Sequence, residues 1–371
     1  MVPGGFVRHE VDGDPARRTR EQSPPVGAMI ASVMRLLLVA PLRGEAGRVP
    51  DVFETLGPLL EGEGHGVTMT STKPGRLARA VDMVRTARRE RGEVDAVIVH
   101  VYSGRAFVVE DGVTRAAAGP PLVGVLAGGD LPAFADRHPR RVQRVLARFD
   151  RLVAPSEYLA RWARTQTSVA VTVIPNPLDV DAYDHRSRED PRPRLLWLRA
   201  YHPIYGPAVA VRAAALLAEH HPDLRLTMVG ADKGDRARIQ ELAEALGVED
   251  QVRVGGFAGP QQKAALFADH DIFVNTSRVD NRPVSVVEAA ACGLCIVSTD
   301  VGGIPDLVAA GRSALLVPPD DPEALARAVE RLLTEEGLGA RLSAGARVVA
   351  EEGRPDLVVA QWSSLLSDLT E

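Results

Sequence analysis

"VDNRPVSVVEAAACG", residues Val279–Gly293, sets a single carboxylate, Glu288, among small apolar side chains. No other charged residue falls between Pro283 and Thr299. Pro283 suits the first turn of a helix, where a missing N–H costs nothing, and Gly293 suits the far end. The stretch therefore reads as a short buried helix over 284–291. A charge inside such a helix is costly unless it is paired or hydrogen-bonded, so Glu288 requires a partner.

On either side the chain alternates short unbroken apolar runs with helical patterns. "RLLLVAP" (35–41), "GVTMTST" (66–72), "DAVIVHVYSG" (95–104), "PPLVGVLAGGD" (120–130), "RLVAPS" (151–156) and "VAVTVIPN" (169–176) form one series. "LLWLRA" (195–200), "LRLTMVG" (224–230), "QVRVGGF" (251–257), "DIFVNTS" (271–277), "CIVSTD" (295–300) and "SALLVPP" (313–319) form a second. Apolar runs without polar alternation are strands covered on both faces, and strand–helix–strand repetition makes them parallel. The expected architecture is α/β, two Rossmann-like doubly wound domains facing across a cleft. "DHRSREDPRPR" (184–194), with four arginines, three acids and two prolines, reads as a solvated linker. The expected boundaries are a disordered tail over 1–33, a first domain over 34–188, a second over 189–352 and a closing helix over 353–371. Leu357, Val358, Trp362, Leu365 and Leu366 are spaced for one face of that helix. Met29 or Met34 reads as an alternative start.

Composition narrows the function. A net charge of −5 over 371 residues supplies no global field for nucleic acid or an anionic membrane. No apolar run approaches the roughly 18 residues of a spanning helix. Two cysteines, Cys292 and Cys295, are too few for a disulfide framework and point to a reducing, cytoplasmic setting.

Ligands of open α/β sheets bind beyond the carboxyl ends of the strands. The 279–293 stretch lies just past "DIFVNTS", at that edge. The N–H groups of Val284, Ser285 and Val286 make an anion site at the helix start, and Arg282 adds a full charge beside it. Asp280 stands one loop earlier, and Glu288 shares a helix face with Val284 and Ser285. Phosphate at the helix start, with a carboxylate on either side, suits a nucleotide-diphosphate sugar: Asp280 would hold the sugar and Glu288 the ribose. The same residues also fit a purely structural arrangement, with Asp280 capping the helix and Glu288 paired to an arginine of the fold.

Continued through "IVSTDVGGIPDLV" (296–308), the segment resembles the signature of the retaining glycosyltransferases of family 4, the group 1 glycosyl transferases of GT-B fold. That signature is an acid, seven residues, Glu, Ala-Met-Ala-Cys-Gly and a Val-Gly-Gly-Ile-Pro loop; here stand Asp280, seven residues, Glu288, "AAACGLC" and "DVGGIPDLV". "VAPSEYL" (153–159), "VIPNPLDVDAY" (173–183) and "LRLTMVGADKGD" (224–235) match further strands and loops, and the closing helix resembles one that crosses back to the first domain.

The resemblance implies a retaining, metal-independent hexosyltransferase that moves a sugar from a nucleotide-sugar donor to an acceptor hydroxyl. The donor is a substrate, and no cofactor is implied. Catalytic roles fall to Asp280, Arg199 and Arg282, and donor contacts to Gly230, Lys233, Asn281, Val284, Ser285 and Glu288. The acceptor, whether glycan, lipid-linked or small molecule, would meet Gly44, Tyr102, Ser103, Gly128, Gly129 and Asp130.

Three positions depart from the family. Ala200 and Tyr205 stand where an arginine and a lysine grip the diphosphate, with Arg199 one place early and Lys233 or Arg282 able to compensate. Ala127 stands where a histidine often precedes a Gly-Gly-Asp turn, which leaves the departing phosphate as the base. Asp280 replaces a more usual glutamate and shortens the reach by one methylene.

Other features carry plainer readings. Arg137, Arg140, Arg141, Arg144 and Arg148 make a basic helix face, read as solvated in preference to contact with anionic lipid at the inner membrane face. Cys292 and Cys295 lack the second pair that a zinc site requires, and Asp179-x-Asp181 reads as a polar helix start. Rival functions are a non-catalytic nucleotide-sugar-binding protein and a sugar-nucleotide epimerase. No G-x-G-x-x-G follows "RLLLVAP", which disfavours a dinucleotide oxidoreductase.

Overall fold

The computed structural model describes residues 33–42 and 51–369, so Gly44 and the tail over 1–32 lie outside the described residues. Two six-stranded sheets, each wholly parallel, carry the fold. The first holds β1 (Arg35–Val39), β2 (Gly66–Thr70), β3 (Ala96–Val101), β4 (Leu122–Leu126), β5 (Arg151–Ala154) and β6 (Val171–Val173), in the order β2-β1-β3-β4-β5-β6. The second holds β7 (Arg194–Leu198), β8 (Arg225–Val229), β9 (Val252–Val254), β10 (Ile272–Asn275), β11 (Cys295–Thr299) and β12 (Leu315–Val317), in the order β12-β11-β10-β7-β8-β9. This is the doubly wound pair that the alternation implies.

The first lobe's helices are α1 (Val52–Gly62), α2 (Arg76–Glu90), α3 (Arg105–Ala116), α4 (Leu131–Arg137), α5 (Pro139–Leu146) and α6 (Glu157–Gln166). The second lobe's are α7 (Pro207–Ala218), α8 (Arg236–Ala245), α9 (Pro260–Asp269), α10 (Val284–Ala291), α11 (Ile304–Leu307), α12 (Pro322–Thr334) and α13 (Leu338–Glu351), and α14 (Pro355–Ser367) closes the chain. Successive strand residues point to opposite faces. In β1, Leu37 and Val39 pack with Phe107 and Phe134, while Leu36 and Leu38 pack with Phe53 and Trp362. Trp362 belongs to α14, so the last helix completes the first lobe's core. Each large apolar side chain removed from water there contributes about 1.5–3 kcal/mol. The buried face of α14 is Val358, Val359, Trp362, Leu365 and Leu366; Leu357, expected on it, is 47% exposed.

Most of the 184–194 segment is exposed, as its composition suggests, yet one of its arginines is buried and pins it to the fold. Arg188 is 2% exposed. Its Nη2 donates to the carbonyls of Phe267 (2.8 Å) and His270 (3.0 Å), and its Nη1 to those of Arg186 and Cys292. Asp271 beside it accepts from Arg186 at 2.5 Å and from Arg192 at 2.6 Å. Burial alone would push the Asp271 pKa up, but Arg192 and Arg186 hold it at about 2. The arginines that look like a solvated run thus bolt the segment to the underside of the second sheet.

The basic face around α5 is also partly spent inside the fold. Arg148 and Arg141 reach Asp111 at 2.5 and 3.6 Å, and Arg137 reaches Asp130 at 3.6 Å. Asp181 pairs with Arg354 at 3.0 Å. Cys292 and Cys295 are buried free thiols. Among the described residues no helix is long and apolar enough to cross a membrane.

Candidate functional site

The second sheet reverses its winding between β7 and β10, and ligands of doubly wound sheets lie outside such a reversal. Arg199 leaves the end of β7, and Asp280 follows β10 by one short loop. The two meet: Nη2 of Arg199 donates to Oδ2 of Asp280. The same oxygen accepts from Ser277 Oγ at 3.1 Å, and Oδ1 accepts the Asn281 N–H at 3.0 Å. Asp280 therefore closes its own loop rather than capping α10. The Arg199 guanidinium lies 4.4 Å from the centre of the Tyr205 ring.

Two glycines let these groups approach. At Gly230 a Cβ would overlap the Arg199 carbonyl. Gly302, at φ 58°, sits where a Cβ would overlap the Asp280 carbonyl oxygen, so the Gly-Gly loop before α11 buttresses the Asp280 backbone.

α10 spans the range expected of it, but Pro283 precedes the first turn, with extended backbone (ψ 115°). Its carbonyl turns back to accept the Val286 N–H at 3.0 Å. The anion site then reduces to the N–H groups of Val284 and Ser285. Glu288 is 4% exposed, and its partners are protein. Oε1 accepts from Tyr183 Oη at 3.0 Å and from Lys263 Nζ, so neither a ligand as the sole partner nor an internal arginine describes it. Oε2 has no partner among the described residues. Burial, then the Glu288 charge, raises the Tyr183 pKa and keeps the phenol protonated.

Arg282 turns to Glu352 at the end of α13, 3.6 Å away, and not to the α10 start. Burial pulls its pKa down, and Glu352 opposes the shift. Lys233 is exposed, and only its backbone N–H is engaged, with the Tyr201 carbonyl at 3.2 Å. Neither cation joins the Arg199–Asp280 pair.

The first lobe contributes at its own strand ends. A Cβ on Gly129 would lie 3.2 Å from Val279 Cγ1 and 3.3 Å from the Asp280 carbonyl carbon, so the Gly128–Asp130 turn abuts the donor-side loop. Asp130 accepts from Ser103 Oγ at 3.4 Å. Tyr102 points into its own lobe, its hydroxyl donating to Asp51 at 2.7 Å and its N–H to Glu110 at 2.9 Å. Burial pushes the Asp51 pKa up, but His100 at 3.1 Å and the Phe53 N–H hold it below the ordinary carboxylate value. Asn281 is also diverted: Ser156 Oγ, the N-cap of α6, donates to its Oδ1 and ties the two lobes, as Arg161 does with Asp306 at 2.8 Å.

Ser277, Tyr183, Lys263 and Ser156 escaped the sequence reading because each sits on another strand or helix from its partner or carries no pattern of its own. The paired glycines at 302–303 were the one local signal pointing back at Asp280.

Residues 182–349 match the family Glycosyl transferases group 1. The second lobe is a glycosyl transferases group 1 domain. The matched segment begins ahead of Arg188, so the buried arginine hub belongs to this glycosyltransferase domain. The D-inositol 3-phosphate glycosyltransferase of Streptomyces avermitilis is 30% identical over 247 residues, covering 61% of this chain and 53% of that protein. That of Salinispora tropica is 28% identical over 363 residues, covering 94% of this chain and 69% of that protein. The chain spans about half the length of the first of these relatives. Among solved structures, HepE of Anabaena with UDP and glucose superposes with a TM-score of 0.70 at 20% identity, covering 90% of this chain and 100% of that one. Sucrose-phosphate synthase of Thermosynechococcus elongatus reaches 0.76 at 16% identity, covering 91% and 99%. The fold of this glycosyltransferase domain and its partner lobe is GT-B.

Proposed function

We propose that the chain moves a sugar from a nucleotide-diphosphate donor to an acceptor hydroxyl with retention of configuration. One observation carries the reading. Of the seven buried side-chain nitrogen and oxygen atoms without a hydrogen-bond partner among the described residues, Arg199 Nε, Arg282 Nη2 (3.6 Å from Glu352, an ion-pair distance) and Ser285 Oγ belong to residues nominated for donor and catalysis. Native folds rarely leave such atoms unbonded, and a bound ligand is one way to satisfy them.

Arg199 and the Val284 and Ser285 N–H groups face the charge that builds on the diphosphate as the bond to the sugar breaks. Donors aimed at developing charge are usually the largest catalytic term. Asp280, oriented by Arg199 and Ser277, holds a sugar hydroxyl. The acceptor oxygen bonds the anomeric carbon from the face the diphosphate leaves, and its proton passes to the departing phosphate. Glu288 Oε2 takes a ribose hydroxyl while Lys263 and Tyr183 fix Oε1. Transfer requires no metal.

UDP-glucose is the first donor to try, since HepE was solved with UDP and glucose, and an inositol phosphate is the first acceptor, after the relatives' names. The test is UDP release with and without acceptor. Acceptor-dependent release supports transfer. Donor binding with no release in any acceptor would favour the binding-protein reading, and wild-type turnover in Asp280→Ala would remove the assignment of that residue.

A further inference from the structure

α2 and α3 pack side by side and leave between them a groove enclosing ≈ 420 Å³, its walls formed by Val81 and Val84 of one helix and Val108, Val109 and Gly112 of the other. The groove is open to solvent, and its margins are greasy: Leu77 is 84% exposed, Val81 47% and Val108 51%. Leu77 and Val81 lie four residues apart on one stripe of α2, and Arg85 and Arg88 continue the stripe. Exposed apolar residues gathered on two adjoining helices mark a contact surface rather than scattered surface leucines.

Charge identifies the partner. α2 carries five arginines against two acids. Asp82 is engaged by Ser71 at 2.6 Å, and Glu90 by Arg89 at 2.8 Å. Asp111 of α3 is surrounded by Arg115, Arg141 and Arg148. Arg85, Arg88 and Arg105 are exposed, and none has an ion-pair partner among the described residues. An apolar strip bordered by unpaired arginines, on a chain of net charge −5, complements one kind of surface: anionic headgroups above acyl chains.

We propose that the α2–α3 face is a peripheral docking surface for an anionic lipid bilayer, with Leu77, Val81 and Val108 entering the interface and Arg85, Arg88 and Arg105 meeting phosphates. The basic stripe around α5 is the weaker candidate, because Arg137, Arg141 and Arg148 are paired within the fold and no apolar strip accompanies them. α3 begins just past Ser103. Docking therefore brings the strand ends given above to the acceptor close to the membrane. That last clause rests on the proposed transfer; the docking itself does not, and it is measured without donor.

The experiment is co-sedimentation of the full chain with vesicles of phosphatidylglycerol in phosphatidylcholine, and with phosphatidylcholine alone. Binding is expected to the mixed vesicles only, and to weaken as salt rises. Each of Arg85→Gln, Arg88→Gln and Arg105→Gln should weaken partition about fivefold. Val81→Asp with Val108→Asp should abolish it, while the thermal transition shifts by only a few degrees because about half of each side chain already faces water. Arg140→Gln with Arg144→Gln on the α5 side should bind as wild type. The proposal is overturned if the wild-type chain stays in the supernatant with both vesicles, or if the α5 pair loses as much binding as the α2–α3 arginines. It is equally overturned if sedimentation velocity shows a dimer that Val81→Asp with Val108→Asp dissociates while vesicle binding is absent, since the face would then belong to a second copy.

Discussion

Arg199 sits over the Tyr205 ring, its guanidinium carbon 4.4 Å from the ring centre, while Nη2 of the same guanidinium donates to Asp280. The tyrosine occupies a position where the family resemblance calls for a lysine. A lysine there would set a second cation beside the first, whereas an aromatic face attracts the cation and fixes its plane. Tyr205→Leu is expected to cost about 0.5–2 kcal/mol of stability in urea unfolding, and to slow transfer because Arg199 loses its aim. Tyr205→Phe should retain both properties. Equal rates in Tyr205→Leu and wild type would show that the stacking does nothing for the site.

Asp280 accepts from three donors, so exchanging it for a neutral isostere tests charge separately from shape. Asp280→Asn should fold normally, bind nucleotide with modest loss, and turn over roughly 10²–10³-fold more slowly, the scale seen when one preorganised polar group is removed. Isothermal titration with the nucleotide, set beside initial rates, separates the two. A parallel loss of binding and rate would mean that Asp280 serves only to anchor the donor.

Gly302→Ala introduces a Cβ into the Asp280 carbonyl at a backbone angle, φ 58°, that L side chains seldom adopt. The Asp280 loop must move, so transfer should fall by at least about tenfold while the chain loses about 1–3 kcal/mol of stability. An alanine variant with wild-type turnover would show that the loop before α11 has no part in placing Asp280.

The buried hub under the second sheet gives the fold an acid limb. Asp271 is held at about 2 against an ordinary 3.8 by Arg192 and Arg186, despite its burial. A carboxylate with a depressed folded pKa stabilises the protein above its unfolded value and loses that contribution as pH falls through the folded one. Here the contribution is on the order of 2 kcal/mol, complete above about pH 4 and fading towards about pH 2. Urea midpoints across that range should show the decline, and Asp271→Asn should flatten it. A variant with the same slope as wild type would move the acid sensitivity elsewhere.

Removing Arg188 takes a donor from four carbonyls at once, those of Arg186, Phe267, His270 and Cys292, of which that of Cys292 keeps the Arg186 N–H at 3.2 Å. Arg188→Met should cost about 3–5 kcal/mol, read by urea unfolding. A loss under about 1 kcal/mol would mean that the hub is dispensable.

The regular elements were legible because their causes are local. Strands covered on both faces announce themselves as unbroken apolar runs, and α10 announces itself by Pro283, an alanine-rich body and Gly293. Leu357 shows the limit of periodicity: its spacing fits the α14 stripe, yet Val359 is buried in its stead, because the contour of the first lobe decides where the edge of the stripe falls. The arginine-rich 184–194 segment shows another, since composition cannot say that a ring of carbonyls waits for one of its side chains.

Sequence alone determined that the chain is two doubly wound lobes, that α10 is short and buried, and that Asp280 stands in the loop before it and Glu288 within it. Only the tertiary structure decided whom the charges meet: Lys263 and Tyr183 for Glu288, Arg199 and Ser277 for Asp280, Ser156 for Asn281. Those partners lie between three and 125 residues away along the chain. The physical reason is that periodicity records which face of an element is dry, whereas ion pairing depends on strand order and on how closely two backbones approach, and those are set only once the sheets have formed.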